Sequence, residues 1–127
     1  MKIKLASVPV DDQDKALAFY TQLLGFVEEK DIPIGGARWL TVTSPDGPKD
    51  IELLLEPMGF APAKHYQSAL RNAGIPWTAF AVADIEREYR RLLDLGVTFR
   101  KPPTPVGTTV IAVFDDTCGN WIQIYQE

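Results

Sequence analysis

The chain has 127 residues, of which 46% are hydrophobic and 24% charged, a size and balance that predict one compact domain with a buried core, too polar to span a membrane. The formal net charge of -4 and the sequence pI near 5.0 offer no basic patch, so nucleic acid is not expected as a partner. A neutral or cationic small molecule suits this charge better.

The N-terminal residues and the single cysteine bear on the cellular compartment. Met1 is followed by a short alternating run and not by a long apolar stretch, so neither a signal peptide nor a membrane segment is expected. Cys118 has no second cysteine for an internal disulfide, which agrees with a reducing compartment. We therefore expect a cytoplasmic protein. No Lys, Arg or His lies near Cys118 in sequence to lower its pKa, so a structural thiol is favoured over a reactive one.

The first 56 residues predict the order β-α-β-β-β. Period-2 alternation predicts a strand over residues 2–10, after which Asp11 and Asp12 offer N-cap carboxylates to a helix that Gly25 closes. Turns rich in Gly and Pro separate three further predicted strands. These strands lie at residues 26–32, 38–44 and 51–56.

A connector leads into a second copy of the same order. Pro62 suits the first turn of a short helix over residues 63–73 that ends at Gly74. The elements that follow are a strand at 77–82, a helix at 85–95 capped by Asp84, a short strand at 98–100, a proline-rich turn, and strands at 108–114 and 121–126. Prolines cannot donate to a strand ladder, so Pro102, Pro103 and Pro105 belong at an edge or in a loop.

The two halves repeat at a nearly fixed offset. Residues 51–56 recur 71 residues later as 122–127, and the opening strand, Asp12 and Gly25 are echoed by residues 77–82, Asp84 and Gly96. Such a period indicates one supersecondary unit used twice. We predict a single α+β domain over 1–127, in which module one (about 1–56), a connector helix (about 57–74) and module two (about 75–127) form a cupped mixed sheet with the helices outside.

Strand alternation predicts which side chains face the helices and which face a ligand. The residues expected against the helices are Leu40, Val42, Ile51, Leu53, Leu55, Ile122 and Ile124. All three tryptophans then fall on the opposite face, which would be the inside of the cup. The predicted ligand-binding residues are Trp39, Thr41, Glu52, Leu54, Glu56, Trp77, Trp121, Gln123 and Tyr125.

The doubled module resembles a known superfamily through several short motifs. These are Val10-Asp11-Asp12, Ala18-Phe19-Tyr20, Leu24-Gly25-Phe26, Ile51-Glu52-Leu53 and the turn and strand at 115–123. Their order and spacing, over nearly the whole chain, resemble the vicinal oxygen chelate superfamily, which includes glyoxalase I, extradiol dioxygenases and bleomycin-resistance proteins.

The resemblance implies where a metal would be held in an enzyme of this superfamily. Its members place a histidine or similar ligand on the first strand of each module and a carboxylate on the last. Those positions here are Leu5, Glu52, Trp77 and Gln123, of which only Glu52 is a good ligand. We therefore expect no metal, no cofactor and no metal-dependent glyoxalase or dioxygenase activity. The only histidine, His65, is expected on the surface of the connector helix, far from the cup.

Three hypotheses about function remain open. The first is a metal-free protein that binds a planar or cationic small molecule in the tryptophan-lined cup. The second is a lyase, isomerase or dioxygenase-type enzyme that uses Glu52, with a pKa raised by burial among the tryptophans, as acid or base. The third is a fold whose cup is packed shut by the tryptophans as core. A separate alternative for Glu52 is a solvated strand residue with no role. A homodimer is expected in each case, with Met58 and Phe60 near the rim of the site.

Overall fold

The computed structural model describes all residues from Met1 to Glu127. They form two compact units, Met1–Lys64 and His65–Glu127. The first unit, module one, contains β1 (Leu5–Val10), α1 (Gln13–Ala18), β2 (Val27–Ile34), β3 (Ala37–Thr43) and β4 (Glu52–Pro57). Helix α2 (Ala61–Ala73) begins in the first unit and ends in the second. The second unit, module two, contains β5 (Thr78–Val82), α3 (Ile85–Asp94), β6 (Phe99–Val106), β7 (Thr109–Asp115) and β8 (Trp121–Gln126). No helix is long and apolar enough to cross a lipid bilayer.

Each unit builds a four-stranded mixed sheet with the same topology. The strand order is β1-β4-β3-β2 in module one and β5-β8-β7-β6 in module two. In both sheets the first strand pairs in parallel with the last, and the remaining pairs are antiparallel. The α+β class and the tandem β-α-β-β-β modules are therefore confirmed.

The helix caps follow the sequence closely. The carboxylate of Asp12 accepts a hydrogen bond from the backbone N–H of Lys15 at 3.0 Å, and that of Asp84 accepts one from Arg87 at 3.1 Å. These bonds satisfy backbone donors that would otherwise lack a partner at the helix N-termini. Gly25 and Gly96 end the corresponding segments at φ +84° and +88°, a conformation that favours glycine. All four predicted end residues are confirmed.

The first helix is not regular along its whole length. After Ala18 the chain winds as a π-helical turn over Phe19–Leu23, whereas the apolar spacing predicted one continuous α-helix. The Thr21 hydroxyl donates to the Leu17 carbonyl at 2.6 Å, an acceptor that a regular helix would offer to the backbone N–H of Thr21. The spacing of apolar residues predicts neither this competing hydrogen bond of the Thr21 hydroxyl nor the wider π-helical turn.

The cores lie where strand alternation placed them, with one exception. Leu40, Val42 and Leu55 are buried in module one, as are Ile122 and Ile124 in module two, which agrees with their predicted positions in the core. Leu53 is half-buried. The prediction for Ile51 is wrong, because this residue precedes β4 in a turn and its side chain is 41% exposed.

The proline-rich segment is a strand and not the predicted turn. Strand β6 runs through Pro102, Pro103 and Pro105 and is the outer strand of its sheet. An outer strand needs fewer backbone donors, and register shifts at Lys101 relieve the ladder where prolines interrupt it. The alternative prediction of an edge position for these prolines is confirmed.

Candidate functional site

Five of the predicted ligand-binding residues share one face of the sheet in module one. They are Trp39 and Thr41 of β3 and Glu52, Leu54 and Glu56 of β4, and we call this set the module-one face. The other face of the sheet is the one that α1 contacts, where Gln13 hydrogen-bonds the backbone of Arg38 and Leu55. Thr41 and Leu54 are direct register partners, so the two strands present their site residues side by side.

A pocket opens on the module-one face beside Trp39. Leu54, which is only 6% exposed, and the carboxylate of Glu56 line it together with the half-buried indole. The cavity has a volume of about 190 Å³. Its remaining lining residues are Ile34, Ala37, Arg38 and Pro57. Three residues predicted from the sequence therefore meet in one largely apolar cavity. Its charged lining residues are Glu56 and Arg38, and the Arg38 guanidinium is paired with Asp14 and Asp31.

Both carboxylate oxygens of Glu52 have polar partners in module one. Its Oε1 accepts a hydrogen bond from the Thr41 hydroxyl at 2.7 Å, and its Oε2 pairs with the Lys30 ammonium at 3.0 Å. The Thr41 hydrogen bond, and after it the one from Lys30, holds the pKa of the Glu52 carboxyl below its ordinary value. The expectation of a raised pKa is therefore wrong, because the carboxylate keeps polar partners that stabilise its charge.

Lys30 is a residue of this face that the sequence pattern did not predict. It lies on β2 opposite Thr41, and a register shift between Glu28 and Lys30 brings it there. A bulge of this kind changes which side chains reach a given face of a sheet. The run Glu28-Glu29-Lys30-Asp31 gives no period-2 signal from which its phase could be read.

The tryptophans of module two already have partners within the module. The Trp121 indole donates to the Arg71 carbonyl at 3.0 Å, and the guanidinium carbons of Arg71 and Arg100 lie 4.3 and 5.3 Å from its ring centroid. Trp77 precedes β5, donates its backbone N–H to the Trp121 carbonyl, and contacts Tyr66 edge-on at 5.3 Å between ring centroids. Their role in ligand contact stays a prediction.

Helix α2 therefore packs against predicted site residues of module two. It supplies both Tyr66 and Arg71 to the two indoles. These contacts were not predicted, because spacing along the chain does not indicate where α2 docks. His65 itself is exposed, as predicted.

The other two predicted residues of module two lie on β8. Gln123 is the register partner of Ala79 and Val113, and Tyr125, which is 37% exposed, is opposite Ala81 and Ile111. We call Trp77, Trp121, Gln123 and Tyr125 the module-two face.

The residues at the implied metal positions do not fit a divalent cation. In module one Leu5 is the register partner of Glu52, and the ammonium of Lys30 already occupies the Glu52 carboxylate. In module two the residue opposite Gln123 is Ala79 and not Trp77, so the prediction of Trp77 at this position is wrong, and the methyl side chain of Ala79 has no lone pair to donate. Neither unit gathers three His, Cys, Asp or Glu side chains into a group that could hold a metal ion. A leucine, an alanine, an amide and a carboxylate paired with a cation are a poor donor set for zinc, iron or manganese.

A buried polar cluster ties α2 to the turn between β7 and β8. Asp116 is fully buried and accepts hydrogen bonds from the backbone N–H groups of Cys118 and Asn120 and from the Asn120 amide, at 2.8 to 3.0 Å. Gln67 of α2 donates to the Cys118 carbonyl and to Asn120 Oδ1. Cys118 is also buried, which agrees with the interpretation of its thiol as structural.

Comparison with known proteins identifies the family. Residues 2–124 match the model of the Glyoxalase/Bleomycin resistance protein/Dioxygenase superfamily. The chain is 54% identical over 127 residues to the uncharacterized protein YurT of Bacillus subtilis (strain 168), covering 100% of both chains. The chain belongs to this superfamily, and the resemblance stated from its motifs is confirmed.

Two solved structures agree with this assignment. UcmS2 is 32% identical with a TM-score of 0.85, over 100% of this chain and 98% of that one. TnmS3, an antibiotic binding protein from Streptomyces sp. CB03234, is 27% identical with a TM-score of 0.76, over 99% of this chain and 95% of that one.

Proposed function

We propose that the protein binds a planar or cationic small molecule without a metal, and that the ligand lies against Trp39 in the module-one pocket. The observation that carries this proposal is the meeting of Trp39, Leu54 and Glu56 in one cavity. An indole offers a flat stacking surface, and a few polar groups in an apolar cavity are the usual composition of a small-molecule site. The similarity to TnmS3, an antibiotic binding protein, supports the same class of function.

The charges of the module-one face support a cationic group on the ligand. Glu52 is neutralised by Lys30, whereas Glu56 is exposed and forms no salt bridge. A cation beside Trp39 would gain both the attraction of the indole ring and that of the Glu56 carboxylate. The cavity of about 190 Å³ is below the range usual for drug-sized ligands, so it suits a flat ring system and not a whole large molecule.

The alternative of an enzyme that uses Glu52 has less support. A general acid must hold a proton near neutral pH, but the hydrogen bonds from Thr41 and Lys30 lower the pKa of Glu52. The same two partners occupy both carboxylate oxygens and would compete with a substrate proton for them. These contacts favour a structural or orienting role for Glu52 on the face.

A titration with two matched probes tests the proposal. Proflavine is a planar cation and acridone a planar neutral analogue, and binding is followed by tryptophan fluorescence and by thermal shift. We expect proflavine to bind more tightly. Trp39→Ala should weaken its binding by about tenfold or more, the effect of losing one aromatic stacking contact, and Glu56→Gln should reduce the preference for the cation.

The control is His65→Ala, which removes an exposed ring outside the pocket and should leave binding unchanged. Saturable proflavine binding that survives in Trp39→Ala would contradict the proposed location, and an absence of saturable binding to the wild-type chain would support the packed-shut alternative. Elemental analysis after dialysis checks the metal-free part, where one tightly bound transition metal per chain, lost in Glu52→Gln, would contradict it.

We also propose that the protein is a homodimer. Strand β2 is an outer strand, and Val27, Ile32 and Ile34 on it are about half exposed, at 51%, 49% and 55%. Unpaired strand edges with exposed apolar side chains favour association with a second chain. Phe60, at 69% exposure, is a further apolar group that a partner would cover. Sedimentation at micromolar concentration should give the mass of two chains, and a monomer there would contradict the proposal.

A further inference from the structure

Among the arginines that form no salt bridge, Arg100 is the one whose guanidinium lies over an aromatic ring. Arg38, Arg71 and Arg91 each form a salt bridge with an aspartate or glutamate. Arg87, Arg90 and Arg100 form none, and Arg100 is exposed at the start of the outer strand β6. An exposed arginine without a partner normally samples many rotamers, so what fixes this one is informative.

Two features of module two hold the Arg100 guanidinium. Its central carbon lies 5.3 Å from the ring centroid of Trp121, within the range of a cation–π contact. It also lies against Gly74, where an added Cβ would be 2.5 Å from Nη2 and 2.9 Å from Cζ. Only the missing side chain at Gly74 leaves room for the guanidinium in this position.

The two acidic groups at the end of β7 have other partners. Asp115 binds the two terminal nitrogens of Arg71 with its two oxygens, at 3.0 and 3.1 Å. Asp116 is buried and receives the hydrogen bonds of the β7–β8 turn. The charge of Arg100 is therefore not balanced by either carboxylate, and its neighbour Lys101 also forms no salt bridge.

The geometry points to a binding site for an oxyanion, a carboxylate or a phosphate group, at Arg100 in module two. A planar guanidinium offers parallel N–H donors that match such a group in bidentate fashion. Because Trp121 and Gly74 already restrict its motion, little further side-chain entropy is lost on binding. The site is independent of the Trp39 pocket, for which we propose a cation.

The test uses sodium benzoate and inorganic phosphate as probes at constant ionic strength, with benzamide as the neutral analogue. The Trp121 indole N–H signal in proton–nitrogen NMR, assigned with Trp→Phe variants, reports binding beside Arg100. We expect a saturable shift with at least one anion and none with benzamide. The anion with the stronger binding identifies the carboxylate or the phosphate as the preferred group.

Two variants that lose the same positive charge distinguish a specific site at Arg100 from a general attraction of anions to the positive charges of the protein. Arg100→Gln should weaken anion binding about tenfold or more, as expected for loss of a charge-assisted pair of hydrogen bonds, whereas Arg90→Gln on α3 should change it less than about twofold. Arg100→Lys, which keeps the charge without the planar fork, should bind more weakly than wild type, and it decides the matter if Arg100→Gln fails to fold by circular dichroism. Equal losses in the Arg100 and Arg90 variants, no loss in the Arg100 variants, or no saturable shift in the wild type would overturn the proposal.

Discussion

The module-one and module-two faces come from equivalent parts of a repeat and yet differ in what covers them. In module one the indole of Trp39 borders a cavity, and the nearby charges pair across strands as Lys30 and Glu52. In module two the indole of Trp121 contacts two guanidinium groups of its own module. The same strand pattern thus gives a face with an open pocket in one module and a face partly filled by helix α2 and strand β6 in the other.

The turns that lead into the last strand also differ between the modules, since the turn in module two is buried against α2 and the turn in module one is exposed. Before β8, Asp116 is fully buried and receives three hydrogen bonds, and Gln67 of α2 closes the cluster. Before β4, the corresponding turn contains Asp46, which is exposed. The turn before the last strand therefore anchors α2 in module two, whereas the corresponding turn of module one remains exposed. The predictions below test that division, from the largest expected effect to the smallest.

The largest effect is expected at Asp116. Asp116→Ala would leave three buried N–H donors without their acceptor, and we expect the free energy of unfolding to fall by about 4 kcal/mol. Urea denaturation measures this change. Asp46→Ala is the matched control in module one and should cost no more than about 0.5 kcal/mol. Similar losses of unfolding free energy in the two variants would contradict this difference between the buried and the exposed turn.

The second prediction compares the two tryptophans. Trp121→Ala removes a hydrogen bond to Arg71 and the ring that both arginines contact, so we expect a loss of about 3 kcal/mol of stability. Trp39→Ala should cost about 1 kcal/mol, because its half-buried ring borders a cavity, while weakening proflavine binding as described above. A larger stability loss for Trp39→Ala than for Trp121→Ala would reverse the assignment of the open and the filled face.

The sequence was informative wherever a local rule decides the structure. Strand alternation placed Leu40, Val42, Ile122 and Ile124 in the core, and the N-cap rule identified Asp12 and Asp84. The repeat gave the order of elements in both modules, because each module pairs its strands in the same way.

The sequence was uninformative where long-range packing decides. The Lys30–Glu52 pair depends on a bulge in β2, and the contacts of Trp121 depend on the docking of α2 through Gln67 and Arg71. Neither is a property of spacing along the chain. The pKa of Glu52 could not be derived before its partners were known, since a hydroxyl and an ammonium lower it where apolar burial would raise it.

The third prediction uses two glycines that end helical segments, one in each module. Gly74 and Gly25 have φ of +72° and +84°, so an alanine at either is strained and should cost about 1 to 2 kcal/mol. At Gly25 an added Cβ meets nothing within 4 Å, whereas at Gly74 it would meet the Arg100 guanidinium. Gly74→Ala should therefore also displace Arg100 and shift the Trp121 indole N–H signal in NMR. An unchanged Trp121 signal in Gly74→Ala would show that Gly74 does not position Arg100.

The smallest effect is expected at Glu52, as a change in the pH dependence of stability. The pKa of the folded-state carboxyl is below its ordinary value of 4.5, so the carboxylate contributes stability that is fully present above that value and is lost as the pH falls through the folded-state pKa. Glu52→Gln should remove this contribution and flatten the decline of the unfolding free energy in acid. Lys30→Gln should flatten it only in part, because the Thr41 hydrogen bond remains.

The repeat supplies the control for this last prediction. Gln123 is the residue of module two that corresponds to Glu52, and by strand register Ile111 and Thr104 correspond to Thr41 and Lys30. Ile111 has no hydroxyl, and the Thr104 hydroxyl donates to the Pro102 carbonyl. A carboxylate introduced as Gln123→Glu should therefore lack the partners that lower a pKa and should not steepen the acid decline measured by urea denaturation between about pH 5 and 2. If Gln123→Glu reproduced the acid dependence that Glu52→Gln removes, the polarity of the module-one face would be a property of the repeated strand and not of Lys30 and Thr41.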